Sequence, residues 1–423
     1  MKILLFVLFL VAPPAVLSAQ PGYIEVNAPG NRQLKLAVGS PHTVEGTANS
    51  ASAKLVSDVI AFDLNVSGVV TAEGRTAPGN LSLVAVDYEP WLSAGFDLLV
   101  LSESSMKDDR LTVEFRLLDV INRKLITAKR YLGTAKELRR FSHTFADEIL
   151  RAITGEKGAF TTRIAYVSTQ TGNKEIYVMD WDGYNPLPLT KNGSINLNPD
   201  FSPNGREIIF TSYKRGNPDL YRRSLSNPAE VPLSRRKGLN ITGNWSPDGS
   251  KIALALSKDG DAEIYTLDKN GDHPARLTIN SALDLYPAWS PDGKQIAFVS
   301  DRLGNPQIFV MNADGGDVRR LTTSGHYNVN PRWSPRGDKI AYSRMTNGGF
   351  NIFTIAPDGT SDTQLTTEGN NENPSWSSDS RLICFSSKRG SGDGVYVMRA
   401  DGSGQTKVSQ GKGGYFQPVW SAH

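Results

Sequence analysis

Across residues 160–423, short runs of β-branched and aromatic residues alternate with turn-forming clusters on a fixed beat. Trp245-Ser-Pro-Asp-Gly returns as Trp289-Ser-Pro-Asp-Gly and Trp333-Ser-Pro-Arg-Gly. Looser copies stand at Phe201-Ser-Pro-Asn-Gly, Trp376-Ser-Ser-Asp-Ser and Trp420-Ser-Ala-His, with spacings of 44, 44, 44, 43 and 44 residues. Within the unit that starts at Trp289, apolar runs at residues 295–300 and 307–312 and a short one at 319–322 are divided by Asp301-Arg-Leu-Gly-Asn-Pro and Ala313-Asp-Gly-Gly. Runs of this length read as strands, and Asp-Gly pairs suit the tight hairpins between them. Four antiparallel strands in about 44 residues is the signature of a propeller blade.

The anchors and the outer strands are out of phase. The first outer set, around residues 163–168, 175–180 and 187–190, has no anchor before it, and the last anchor, residues 416–420, has no strands after it. A circular solution follows: the C-terminal strand becomes the inner strand of the first blade, closing a six-bladed β-propeller over residues 158–423. One large aromatic at the same point of each unit serves packing between neighbouring sheets.

Residues 20–157 carry a mixed pattern. Strands are expected at 23–26, 34–38, 98–101, 112–118 and 125–131, a helix at 51–64, and an amphipathic helix at 136–153 that sets Leu138, Phe141, Phe145, Ile149 and Ile153 on one face. The fold class is therefore mixed: a small N-terminal α/β domain with an extended N-terminal arm, its strand order open, then an all-β propeller. Residues 1–19 begin with a basic position, continue through an apolar block at 3–11 and end on small residues, the pattern of a signal peptide. The mature chain is expected to be exported, with no membrane span. The bacterial periplasm suits an exported chain of this size without a disulfide.

Composition narrows the chemistry. Lys plus Arg number 46 and Asp plus Glu 43, a formal charge of +3, and the basic pairs are short and scattered, which argues against a nucleic-acid binder. A single cysteine, Cys384 in an apolar run, excludes an internal disulfide and a cysteine-based metal cage. No Gly-x-Ser-x-Gly elbow occurs, and His42, His143, His273, His326 and His423 lack metal-ligand spacing. Residues 268–272 resemble a calcium loop only faintly and read as a hairpin turn. No catalytic residue, metal ligand or cofactor is expected, with calcium in the propeller channel left open.

The two propeller faces differ. Connectivity sends the Asp-Gly turns to one face, and these are monotonous. The other face varies, with Asn196-Leu-Asn198, Leu239-Asn-Ile-Thr242, Asp284-Leu-Tyr286, His326-Tyr-Asn-Val-Asn330, Asn370-Asn-Glu-Asn373 and Tyr415-Phe416, and Arg215, Arg302 and Arg389 are expected to ring it. Aromatic and apolar groups among amides compose a protein-recognition surface. Asn328, Asn371, Glu372 and Phe416 are candidate contact residues on this basis.

The exported α/β domain, the junction ADEILRAITGEKGAFTTRIAYV at 146–167 and the Trp-Ser-Pro-Asp-Gly propeller together resemble the TolB family of the Tol-Pal system over essentially the whole chain. The resemblance implies a non-enzymatic, monomeric periplasmic adaptor of outer-membrane integrity and constriction at division. Its propeller would bind the lipoprotein Pal, making it peripheral to the outer membrane, and its N-terminal segment, with Gln20, Tyr23, Ile24 and Glu25, would bind TolA. The family's partner-contacting loops fall on Leu197 and Asn198, Leu239 and Thr242, and Leu285 and Tyr286. The competing reading is an exported propeller hydrolase or lactonase with its active site at the channel mouth.

Overall fold

The computed structural model describes residues 33–39, 42–45, 50–75, 86–390 and 392–422. The N-terminal domain runs β1 (Leu34–Gly39), β2 (His42–Glu45), α1 (Ser50–Ser67), β3 (Val70–Arg75), α2 (Glu89–Ser93), β4 (Leu98–Lys107), β5 (Arg110–Asp119), β6 (Lys124–Gly133) and α3 (Leu138–Thr154). Its sheet has the order β3-β1-β4-β5-β6, with β2 also on β4. β1 lies parallel to β3 and β4, whereas β4, β5 and β6 form an antiparallel meander. Side chains alternate across β4: Leu98 and Val100 face α1 and α3, while Leu99 and Leu101 join Trp91 and Phe96 on the other side. Both predicted helices and the predicted strands from residue 34 onward are present; the strand expected at 23–26 lies outside the described residues. β2, β3 and α2 are additions.

Six four-stranded sheets follow. Blades 2 to 6 open on inner strands Asn196–Phe201, Asn240–Trp245, Asp284–Trp289, Asn328–Trp333 and Asn370–Trp376. Blade 1 takes the C-terminal strand Tyr415–Trp420 as its inner strand, paired antiparallel with Arg163–Ser168, so the ring closes as the repeat phase required. Trp245, Trp289, Trp376 and Trp420 are buried between blades.

The Asp-Gly turns do more than reverse the chain. Gly271 has φ 91, and a Cβ there would meet the Leu233 carbonyl oxygen of the preceding blade at 2.0 Å. The turn therefore needs a glycine both for its backbone conformation and for its approach to the neighbouring sheet. Asp268 Oδ1 accepts from the backbone N–H of Asn270 and Asp272, which makes residues 268–272 the expected hairpin turn.

The N-terminal domain sits on this Asp-Gly face, over blades 1, 5 and 6. One apolar core crosses the boundary, from Phe145, Ile149 and Ile60 to Trp181, Cys384, Val397 and Trp420. Trp181 lies against Phe62 and Phe160, with ring centroids 5.4 and 5.1 Å away. Arg399 of blade 6 donates to the Val66 and Asn65 carbonyls at 3.1 and 2.8 Å, capping the end of α1. Arg336 and Arg381, from the inner turns of blades 5 and 6, both pair with Glu156. Among the described residues, nothing covers the opposite face, and no helix is long and apolar enough to cross a membrane.

Candidate functional site

Each inner strand breaks register at the same point: between Leu197 and Asp200, Ile241 and Asn244, Leu285 and Ala288, Val329 and Arg332, Glu372 and Ser375, and Phe416 and Val419. One residue in each break is left-handed: Asn198 (φ 51), Thr242 (54), Tyr286 (53), Asn330 (57), Asn373 (56) and Gln417 (48). The next residue is Pro199, Gly243, Pro287, Pro331, Pro374 or Pro418. Proline has no N–H to give the ladder, so it sits at the bulge where none is asked for. A left-handed non-glycine residue costs on the order of 1–2 kcal/mol, yet this one recurs in every blade. The result is a ring of six side chains at the channel mouth around a cavity of about 40 Å3. Neighbouring blades are tied at this level. The Asn198 N–H donates to Gln417 Oε1 at 2.8 Å, and the Tyr286 N–H to Thr242 Oγ1 at 3.4 Å.

Two residues after the left-handed position, a deeper ring forms from Asp200, Asn244, Ala288, Arg332, Ser375 and Val419. Three of its polar members accept from the inner-strand tryptophan backbone N–H of the next blade: Asp200 from Trp245 at 3.1 Å, Asn244 from Trp289 at 2.9 Å and Ser375 from Trp420 at 3.0 Å. Asp200 on blade 2 also meets Arg332 on blade 5, three blades round the ring, with Nη1 to Oδ1 at 3.0 Å. The ion pair thus spans the channel axis below the mouth. Burial pushes the Asp200 carboxyl up from its ordinary range, and Arg332, the Trp245 N–H and Asn244 oppose that rise. Among the described residues no group of three His, Cys, Asp or Glu is placed to hold a metal. Arg332→Gln should cost about 2–4 kcal/mol of stability, because it strands a buried carboxylate. The loss should shrink as the pH falls and Asp200 takes a proton; denaturant titrations at pH 7 and pH 4 read this, and an equal loss at both would refute it.

Of the residues singled out from sequence, Asn198, Thr242 and Tyr286 stand on the mouth ring. Leu197, Leu285, Glu372 and Phe416 immediately precede the ring position in their strands and are partly exposed, and Leu239 is half-buried in the loop entering blade 3. Thr242 is nearly buried, so it offers little more than its edge. Two assignments need correction. Asn328 and Asn371 are fully buried and cannot meet a partner. Asn328 donates to Gln307 Oε1 (2.8 Å) and Ser324 O (2.9 Å) and accepts from Arg344 Nε (2.8 Å). Asn371 donates to Asn351 Oδ1 and Glu368 O and accepts from Ser387 and Arg389. They anchor the loops that enter blades 5 and 6, a task taken by Asn196, Asn240 and Asp284 in blades 2 to 4.

Arg302 and Arg389 also differ from expectation. Arg302 folds back onto the buried Asp284 at 2.9 Å, and Arg389 onto Asn371 and Gln405, so of the three only Arg215 is fully exposed on the face. Gln20, Tyr23, Ile24 and Glu25 lie outside the described residues. Asn330, Asn373 and Gln417 complete the ring, although loop composition alone does not single them out. The signal that marks them is an X-Pro pair whose first member stands three residues before the anchor aromatic.

Residues 150–423 match the family described as the TolB beta propeller domain, and residues 22–126 the TolB amino-terminal domain. The Tol-Pal system protein TolB of Geobacter sulfurreducens is 53% identical over 208 residues, 48% of each chain. That of Geobacter metallireducens is 55% identical over 211 residues, again 48% of each. The chain thus spans, in these matches, about half the length of its curated relatives. The crystal structure of TolB from Acinetobacter baumannii superposes with a TM-score of 0.83 at 26% identity, covering 93% of this chain and 98% of that one. A chain of the nidogen/laminin complex, 11% identical with a TM-score of 0.52 over 62% of this chain and 98% of its own, shares the fold alone. An α/β domain seated on the turn face, a propeller closed by its last strand and both domain matches in the same order place this chain in the TolB family of Tol-Pal system proteins.

Proposed function

We propose that this chain is a non-enzymatic, monomeric periplasmic adaptor of the Tol-Pal system. It docks Pal on the mouth face of the propeller and TolA through the N-terminal segment that holds Gln20, Tyr23, Ile24 and Glu25, and so serves outer-membrane integrity and constriction during division. Membership of a family whose relatives are named Tol-Pal system proteins supports this reading. The observation that carries it is the ring of six left-handed residues on the face left open by the N-terminal domain. Strained backbone held in every blade is a feature of binding sites, where it presents side chains in a fixed array. Leu197, Asn198, Leu239, Thr242, Leu285, Tyr286, Glu372 and Phe416 are the contact residues of the proposal. No cofactor is required, since Arg332 already supplies the counter-charge that a channel cation would give Asp200.

Tyr286 is the one aromatic on the ring, and burial raises its hydroxyl above the ordinary range. Calorimetric titration with the soluble domain of the same organism's Pal should give one-to-one binding that is unchanged by calcium. Tyr286→Ala should weaken it by about 1–3 kcal/mol, the loss typical of a central aromatic anchor. Unaltered affinity with an intact fold would remove the mouth from the contact surface.

A further inference from the structure

The loops of the mouth face are unequal around the ring. Large apolar side chains project from it at Ile279 (79% exposed), Leu283 (47%), Leu303 (61%), Tyr327 (38%) and Met345 (48%). All five belong to the loops that enter or cap blades 4 and 5. On the rest of this face, among the described residues, Ile195 alone is comparable. Their loops are held within each blade. The Leu283 N–H donates to Asp301 Oδ1 at 2.8 Å, the Met345 N–H donates to the Tyr327 carbonyl at 2.9 Å, and Tyr327 meets Phe350 edge to face at 5.8 Å. Between them stand Ser, Thr, Asn, Gly and the exposed His326. Asp301 is half-buried under the Leu283 loop and Arg302 is turned onto Asp284, so among the described residues the loops at 279–283, 301–306, 323–328 and 345–349 show no fully exposed carboxylate, lysine or arginine; Arg320, exposed on the outer strand of blade 4, donates its Nε to the Thr322 carbonyl.

The other side of the ring is basic. Lys388, Lys412, Lys191, Arg215, Arg235 and Lys237 are exposed on the corresponding loops of blades 6, 1 and 2 and on the loop entering blade 3, facing, among the described residues, only Glu368 as an exposed acid at the edge of that arc. Asp259 and Asp261, on blade 3, lie where the basic arc gives way to the apolar one. The mouth is therefore the centre of a face with two unlike halves.

We propose that this face takes an acidic protein partner in a single orientation. An apolar patch of the partner is buried on blades 4 and 5, and carboxylates flanking that patch lie over the cations of blades 6, 1 and 2. Charge complementarity picks out the occupant, because a second copy of this chain would bring cations against cations. Apolar contact without nearby charge holds a complex through its dissociation rate, whereas a rim of one sign acts on encounter and is screened by salt. The proposal rests on the docking role of the mouth given above and adds the partner's charge pattern and its orientation.

The test uses the full mature chain and the soluble Pal domain as probe, with association and dissociation rates read at 50 and 500 mM salt. Ile279→Ser with Leu303→Ser should raise the dissociation rate about tenfold and leave association nearly unchanged at either salt. Arg215→Glu with Lys191→Glu should slow association about tenfold at low salt, with the gap closing at high salt. Leu187→Ser, exposed on the opposite face, is the control, and unchanged melting temperatures establish that the variants fold. If wild type binds and Tyr286→Ala weakens it while both sector pairs match wild type, the docking role stands and the two-sector proposal falls. Equal, salt-independent losses in both pairs overturn it as well. A dimer that dissociates on Ile279→Ser with Leu303→Ser would assign the patch to a second copy and overturn it too. If wild type does not bind Pal at all, the docking role itself fails and this proposal with it.

Discussion

Removal of residues 414–423 should leave no cooperatively folded propeller. Tyr415–Trp420 is the inner strand of blade 1, and it pairs from Tyr415 opposite Ser168 to Trp420 opposite Ile164. It also links its neighbours. The Trp420 N–H donates to Ser375 of blade 6, and Gln417 accepts from the Asn198 N–H of blade 2. The Trp420 ring stacks on Trp181 at 6.2 Å, and its indole N–H donates to Thr162 at 2.6 Å, beneath the N-terminal domain. Deletion thus opens two sheet surfaces, exposes the Arg163–Ser168 edge and undermines the domain interface in one step. Trp420→Ala alone should cost about 3–5 kcal/mol, a large part of the roughly 5–15 kcal/mol that holds a typical domain. Far-ultraviolet circular dichroism and a thermal melt of the truncated chain read the outcome: a broad, non-cooperative melt is expected, and a native-like transition would refute circular closure.

That closure was legible because its signal is long-range but periodic: six anchors at intervals of 43 or 44 residues, displaced by one strand from six outer sets, admit few other solutions. The N-terminal sheet order had no such signal. β3, Val-Thr-Ala-Glu-Gly-Arg, is neither apolar nor cleanly alternating, and it becomes a strand by pairing in parallel with β1 across α1. The mouth was half legible. Asn-Pro and Tyr-Pro pairs mark the bulges in the chain, yet a buried, fully hydrogen-bonded asparagine such as Asn328 or Asn371 reads the same as an exposed one. The Asp200–Arg332 pair needed the ring itself, since residues 132 positions apart come together only across the channel. The seat of the N-terminal domain was hidden for a related reason. Trp181-Asp182-Gly183 looks like the other Asp-Gly turns, and only its partners single it out.

Those partners make the second large effect. His143 on α3 lies between Asp63 on α1, with Nδ1 to Oδ2 at 2.7 Å, and Asp182 of blade 1, with Nε2 to Oδ2 at 3.2 Å; Arg139 also pairs with Asp182 and covers the Tyr184 ring. Burial alone would push His143 down, but the two carboxylates outweigh it and carry it up to about 10. Burial raises Asp63 to about 7 despite the imidazole, and Asp147 and Asp182 add to that rise. Asp182 would rise with burial too, yet His143 and Arg139 bring it below its ordinary value. His143 thus holds its proton more tightly in the folded chain than at its ordinary value of 6.5, so its stabilisation is complete below about pH 6.5 and is lost as the pH climbs through about 10. Asp63 works in the same direction at lower pH: its folded value exceeds the ordinary 3.8, so its contribution declines between about 4 and 7. His143→Ala should therefore cost about 3–5 kcal/mol at pH 6, where removing the imidazolium loses both its hydrogen bond to Asp63 and its pairing with the buried Asp182 carboxylate, and much less above pH 10. His143→Gln, which can still donate to one carboxylate but carries no charge, should fall between them at pH 6 and converge with wild type at alkaline pH. Denaturant unfolding of the three chains at pH 6, 8 and 10.5 measures the differences. A gap that does not narrow with pH would mean that His143 bridges the domains as a neutral ring, by shape and hydrogen bonding alone.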